Sequence, residues 1–349
     1  MDWLRAMPSF DDVSGVVVVD GGGTRSRASL ASADGRLLGY AEGGPTNQRS
    51  AGDHEASANV GAVIAAAIDQ ARTAEGSTPA VTAVLVTSAS VDTQGHADVL
   101  TGGVRTAVPT EATIAVVADT LGCWAATAKL APAVAVIAGT GSAVLAASLH
   151  EGSRRYGGWD YVLGDEGSGY GLGRGALRET LLVSEGSSTA TALAEACVRR
   201  LGITDTDEMF DVVYKPEVDK SKVAAFAADV LDLAAAGDPD ALRIVDTQAG
   251  LLADTVAAAF RDFASLETLG CFGGIWNAPI YRERFELALG ARVTAHPAIV
   301  HPGDTAMVGA YRVVLRHHPA GAAGTTEDAA VDRFGTELAA AKAKAETSA

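Results

Sequence analysis

Val16–Thr24 reads VVVVDGGGT, and Val134–Ser142, 118 positions later, reads VAVIAGTGS. Each is an apolar run of strand length that enters a glycine turn carrying a hydroxyl residue. Both continue through a strand of small residues to a second turn, ADG at 33–35 in one and HEG at 150–152 in the other. One such stretch alone reads equally well as a tight hairpin. Two in register point to an internal duplication whose turn tips present backbone N–H groups to an anion such as a polyphosphate.

Outward from these two stretches, strands and helices alternate. RASLASA, RLLGYAE, VTAVLVTSA and TIAVVAD read as further strands of a first half, with a helix over residues 53–74 between the second and third of them. AVLAASL and RRYGGW continue the second half, followed by helices, the longest over residues 238–263 with Asp238 as cap and Pro239 at its first position. The pattern is α/β, and the expected boundaries are 1–118, 119–318 and an alanine-rich, charged tail at 319–349, which starts as a linker and carries a helix from Glu327 to Glu346.

Composition narrows the function classes. A net charge of −16 with scattered Lys and Arg argues against a nucleic-acid or anionic-membrane partner. The start MDWLRAMPSFDD lacks the apolar stretch of a signal peptide and the apolar runs are too short to span a bilayer, so a cytoplasmic protein is expected. Cys123, Cys197 and Cys271 are far apart, without CxxC spacing, and read as core thiols. No GxxxxGK[ST] is present, and the GLGRGA at 171–176 does not follow a strand, so neither a P-loop nor a Rossmann fingerprint fits.

Gly157–Leu177, GGWDYVLGDEGSGYGLGRGAL, poses a harder question. Its glycines let a backbone approach a ligand closely, yet carboxylates in such a loop repel a phosphate. Taken with DGGGT at 20–24, Asp119 at the end of TIAVVAD, GTGS at 139–142 and Gly273-Gly274, this stretch resembles the N-acetylglucosamine kinase branch of the BadF/BadG-type ATPases, within the actin, hexokinase and heat-shock-chaperone superfamily. The resemblance runs from about Val16 to Leu315. It implies two ribonuclease-H-like (actin-like ATPase) domains related by duplication, an active-site cleft between them, ATP and Mg²⁺ as cofactors, and transfer of phosphate to a sugar 6-hydroxyl.

The resemblance also implies roles. Asp20 is expected to hold Mg²⁺ through water, its plain alternative being a turn-forming Asp. Gly22, Gly23 and Thr24 in one turn and Gly139, Thr140, Gly141 and Ser142 in the other would hold phosphates, with Gly273 and Gly274 leaving room for adenosine. Asp119 is the candidate general base, although its position at a helix start reads equally as an N-cap. Asp165, Asn47, Thr140 and the Gly158-Trp159 pair are expected at the sugar, whose hydroxyls a carboxylate accepts in pairs. Trp159 reads on residues alone as either core or sugar-lining, and Glu166 as either a helix-start residue or a sugar ligand.

One position departs from the family pattern. GGWG is usual where this chain has GGWD, and an Asp160 carboxylate near the sugar 2-position would crowd an acetamide yet pair with the ammonium of glucosamine. Glucosamine is therefore the expected substrate and N-acetylglucosamine the alternative; Asp160 facing solvent is the plain one. A sensor or ATPase that binds sugar without phosphorylating it is a further class. The family's iron-sulfur activators and the zinc-bearing ROK kinases lack support in the cysteine positions. A homodimer is expected.

Overall fold

The computed structural model describes residues 2–77, 79–215, 218–303, 305–319 and 325–348. Ten strands, β1 Gly15–Gly21, β2 Ser26–Ser32, β3 Leu37–Gly43, β4 Ala83–Ser88, β5 Thr113–Ala118, β6 Ala133–Ala138, β7 Ser142–Ser148, β8 Gly152–Tyr156, β9 Thr268–Phe272 and β10 Ala298–Val300, lie among these residues. They form two five-stranded sheets, ordered β3-β2-β1-β4-β5 and β10-β9-β6-β7-β8. Read from its other end, the second order is the first with each strand number raised by five. The duplication visible in the glycine turns therefore extends to whole sheets.

Two compact units result. The first comprises Met1–Ala133, Ala147–Arg154 and Asp304–Ala349; the second comprises Val134–Ala146 and Arg155–Gly303. This partition differs from the boundaries expected at 118 and 319. Helix Asp119–Thr127 packs against helix Ala306–Arg316 inside the first unit, and the C-terminal helix Thr325–Ser348 packs there as well.

In the first unit β1 pairs antiparallel with β2 and parallel with β4, while β4 and β5 are parallel. Val16, Val17, Val18 and Val19 are all fully buried, which explains an unbroken apolar run in place of alternation: a central strand is covered on both faces. Helix Asp53–Glu75 buries Ala56, Val60, Val63, Ile64, Ala67 and Ala71 along one stripe and ends at Gly76, which is left-handed.

The C-terminal helix contributes Val331, Phe334 and Leu338 to the core. Its Glu337 accepts from the Leu37 N–H of β3 at 2.7 Å, its Arg333 meets Asp34 at 2.6 Å, and the buried Arg312 pairs with Asp328 at 2.6 Å. A strand edge is thus covered by a helix, one of the ways an edge is kept from pairing with another chain. The linker expected at the start of the tail falls on residues 320–324, outside the described residues.

In the second unit the expected helix is observed at Pro239–Asp262, with Asp238 as N-cap accepting from Asp240 and Ala241 N–H groups at 3.1 and 2.9 Å. Ile244, Val245, Leu252 and Val256 on its stripe join Val134, Val136 and Val144 of the sheet in one core. The strand expected over 154–159 stops at Tyr156, because Gly157 and Gly158 both take left-handed backbone.

Candidate active site

The first unit gathers Asp20, Asp119, Asn47 and one glycine turn. Parallel pairing aligns β1, β4 and β5, so Asp20 near the end of β1 and Asp119 directly after β5 sit at the carboxyl edge of the sheet, the edge at which α/β folds place ligands. Ala118 occupies the N-cap position of helix Asp119–Thr127, and no side chain caps it. Asp119 is the first helical residue.

The Asp119 carboxyl is pushed up to about 7, first by burial, which disfavours its charge, and second by the Asp20 carboxylate. Asp20 lies opposite Arg27 of β2, whose guanidinium is 3.9 Å from it and 3.4 Å from Glu42. In the metal-free protein, carboxyl-carbon NMR is expected to show Asp119 titrating near 7. Asp20→Asn should move that titration down without restoring the ordinary value, since burial remains. A wild-type carboxyl that ionises near 3.8 contradicts this arrangement.

Asn47 is N-cap of the short helix Gln48–Ala51, its side-chain oxygen accepting from the Arg49 N–H at 2.9 Å. Backbone N–H groups of Thr46 and Asn47 donate to the Gly22 carbonyl at 3.2 and 3.3 Å, and the Ser50 hydroxyl donates to the Gly23 carbonyl at 3.1 Å. The segment that bears Asn47 is therefore tied to the Gly22-Gly23 turn. Thr24 at the tip is exposed.

The second unit gathers the other turn and the GGWD loop. The Ser142 N–H donates to Asp165 Oδ1 at 3.0 Å and the Ser142 hydroxyl to the Glu166 carbonyl at 2.8 Å. The Gly139 carbonyl accepts from Gly169 N–H at 2.7 Å and the Thr140 carbonyl from Tyr170 N–H at 3.1 Å, so the turn is clamped to the start of helix Gly169–Ser184. Ser168 caps that helix, accepting from Gly171 N–H at 3.2 Å. Among the described residues, the exposed Thr140 hydroxyl and the Gly141 N–H have no hydrogen-bond partner.

Asp165 is 3% exposed and left-handed at φ 67°, a conformation Asp tolerates better than most residues. The Lys220 ammonium bridges it to Asp160, at 2.5 Å from Asp165 Oδ2 and 2.6 Å from Asp160 Oδ1. Trp159 is 63% exposed beneath the Arg155 guanidinium, which removes the core-packing reading. Gly158 is left-handed, and a Cβ there would press on Ala143 at 3.1 Å.

Gly273 meets the end of β6 so closely that a Cβ would lie 2.4 Å from the Ala138 carbonyl, whereas Gly139 and Gly274 face open space. The sequence reading missed Lys220, Arg27, and the pair that fixes the loop after Glu166: Gln248 accepting from Gly167 N–H at 2.9 Å and Tyr281 donating to the Gly167 carbonyl at 2.6 Å. No spacing signal connects these positions to the motifs. Among the described residues no group of three or more His, Cys, Asp or Glu could hold a metal, and no helix is long and apolar enough to cross a membrane.

Comparison with known proteins agrees with this geometry. The profile of the BadF/BadG/BcrA/BcrD ATPase family matches residues 17–311. The chain is 25% identical over 230 residues to an N-acetylmuramic acid/N-acetylglucosamine kinase of Clostridium acetobutylicum, covering 66% of this chain and 74% of that one. It is 29% identical over 129 residues to an N-acetyl-D-glucosamine kinase of Dictyostelium discoideum, covering 37% and 40%. In fold it is similar to a Chromobacterium violaceum protein provisionally named an N-acetylglucosamine kinase, with TM-score 0.67, 24% identity and coverage of 86% and 99%. A ROK family glucokinase of Streptomyces griseus, solved with glucose and AMPPNP, shares the fold at TM-score 0.51 and 15% identity, covering 85% and 98%. On the profile match, which spans both glycine turns and both candidate carboxylates, the chain belongs to the BadF/BadG/BcrA/BcrD ATPase family.

Proposed function

We propose that this protein is an ATP-dependent amino-sugar kinase that transfers the γ-phosphoryl group to the sugar 6-hydroxyl. The observation that carries the reading is Asp119, a carboxyl raised to about 7 at the carboxyl edge of the first sheet, beside Asp20. A base poised near the working pH both holds the right protonation state and drives proton transfer. Asp119 accepts the 6-hydroxyl proton as the phosphoryl group arrives.

Other residues bind and orient. Gly22, Gly23 and Thr24, and on the second turn Gly139, Thr140, Gly141 and Ser142, hold phosphate oxygens; the unpaired Thr140 hydroxyl and Gly141 N–H support this, and the Ser142 N–H is committed to Asp165. Open space at Gly139 and Gly274 supports close approach of a nucleotide. A carboxylate that raises the proton affinity of its neighbour suits a hard divalent cation, and Asp20 would hold Mg²⁺ there. When bound, Mg²⁺ neutralises phosphate charge. Asn47, Gly158, Trp159 and Thr140 bind sugar, while Asp165, with both oxygens engaged, orients the loop.

With Asp160 near the sugar 2-position, its pairing with Lys220 would favour a neutral acetamide, since the carboxylate already carries an ammonium. N-acetylglucosamine is thus the first reading, and it is the sugar both curated relatives are named for. Glucosamine is the second, supported by the aspartate at a position usually glycine. ADP release with ATP and Mg²⁺ should be fastest with N-acetylglucosamine, slower with glucosamine and glucose, and near zero without sugar. Preference for glucosamine reverses the order of the two readings; release independent of sugar contradicts the kinase.

A further inference from the structure

The phosphate-holding turn proposed at Gly139–Ser142 sits against a carboxylate. A Cβ built on Gly141 would lie 2.8 Å from Asp165 Oδ1 and 3.0 Å from Oδ2, so the turn backbone and this buried acid are in direct apposition. The same Cβ would lie 2.7 Å from the Lys220 ammonium. Any side chain at Gly141 would displace this ion cluster.

One ammonium joins both acids of the cluster. Lys220 Nζ is 2.6 Å from Asp160 Oδ1 and 2.5 Å from Asp165 Oδ2, so a single ammonium bridges the two carboxylates. Without the ammonium, the buried Asp165 carboxylate would face, across a glycine, a backbone meant for a polyanion, and in a partly buried site that repulsion is weakly screened. Lys220 is held in place: it opens helix Lys220–Ala224, whose N-cap Asp219 accepts from Lys222 N–H at 3.0 Å.

We infer that Lys220 is a positioning residue for nucleotide binding: its ammonium neutralises the Asp160–Asp165 pair and fixes the GGWD loop so that the Gly139–Ser142 turn accepts the phosphates of ATP. This deepens the kinase reading and rests on it. It also resolves how an acid-rich glycine loop coexists with a phosphate turn. A lysine about 60 residues downstream of Asp160 brings a positive charge to the loop, and Asp160 is one half of its anchor.

The test is nucleotide binding by calorimetry, with ATP and adenosine each titrated into the full-length wild type, Lys220→Met, Lys220→Arg and the double variant Asp160→Asn/Lys220→Met. Lys220→Met is expected to weaken ATP by about tenfold or more while changing adenosine less than about twofold, because only the phosphates feel the exposed carboxylates. Lys220→Arg should retain most ATP affinity. The double variant, with one carboxylate neutralised, should recover much of the loss.

Equal weakening of ATP and adenosine assigns Lys220 a purely structural role and overturns the inference, as does unchanged ATP affinity in Lys220→Met. If the double variant binds ATP no better than Lys220→Met, neutralisation is not the mechanism. A wild type that binds adenosine and ATP nowhere overturns the kinase reading itself, an outcome distinct from the others.

Discussion

Asp119→Asn is expected to fold, to bind sugar and ATP within a fewfold of wild type, and to lose at least about 100-fold in kcat, the scale of losing a positioned base. Asparagine is isosteric but cannot take the 6-hydroxyl proton. The same variant carries a stability signature of opposite sign. With the folded carboxyl near 7 and the unfolded one near 3.8, the folded chain holds a proton that the unfolded chain lacks between those values. Stability from this group therefore falls as pH rises from about 4 to 7, and stays low above. Asparagine has no charge to bury, so the variant should melt higher than wild type at pH 8 and close to it at pH 4. Steady-state rates and melting curves at the two pH values check both halves. Retention of more than about a tenth of the rate removes Asp119 as the base.

Asp165→Ala has the largest expected effect on folding. The side chain is 3% exposed, one oxygen holding the Ser142 N–H at 3.0 Å and the other the Lys220 ammonium at 2.5 Å. Its loss leaves a half-buried ammonium short of a partner, an unsatisfied N–H beside the turn, and alanine in left-handed backbone. Breaking a buried pair from one side costs about 3 kcal/mol or more. Asp165→Asn keeps an acceptor for Ser142 and tolerates the backbone, so its cost should be roughly half as large. Denaturant unfolding at neutral pH measures both. If each variant shifts stability by less than about 0.5 kcal/mol, the range of ordinary surface substitutions, Asp165 does not anchor this loop.

What the sequence made legible was local. The VVVVD run, the Asp238-Pro239 start and the glycine turns are signals written within a few residues, and each appears where expected. The shared strand order follows from the repeat of VVVVDGGGT as VAVIAGTGS. Asp119 was legible as a strand-end acid but not as the first helical residue, because the cap position is decided by backbone geometry at Ala118. The ion pair of Asp160 was hidden for a related reason. Its partner Lys220 lies in a different helix, and an ion pair between distant segments leaves no periodic mark in the chain. The return of residues 306–348 to the first unit was equally hidden, since the buried stripe of Val331, Phe334 and Leu338 says that a helix packs but not on what.

Phosphoryl transfer to a sugar hydroxyl, with Asp119 as base, leaves its mark in the product. The most direct measurement is phosphorus–proton correlation NMR of the products formed from ATP, Mg²⁺ and N-acetylglucosamine. One new phosphomonoester coupled to the two C6 protons is expected, formed in step with ADP and at least about 100-fold more slowly with Asp119→Asn. Appearance of ADP with only inorganic phosphate, or of a phosphoester elsewhere on the ring, would contradict it.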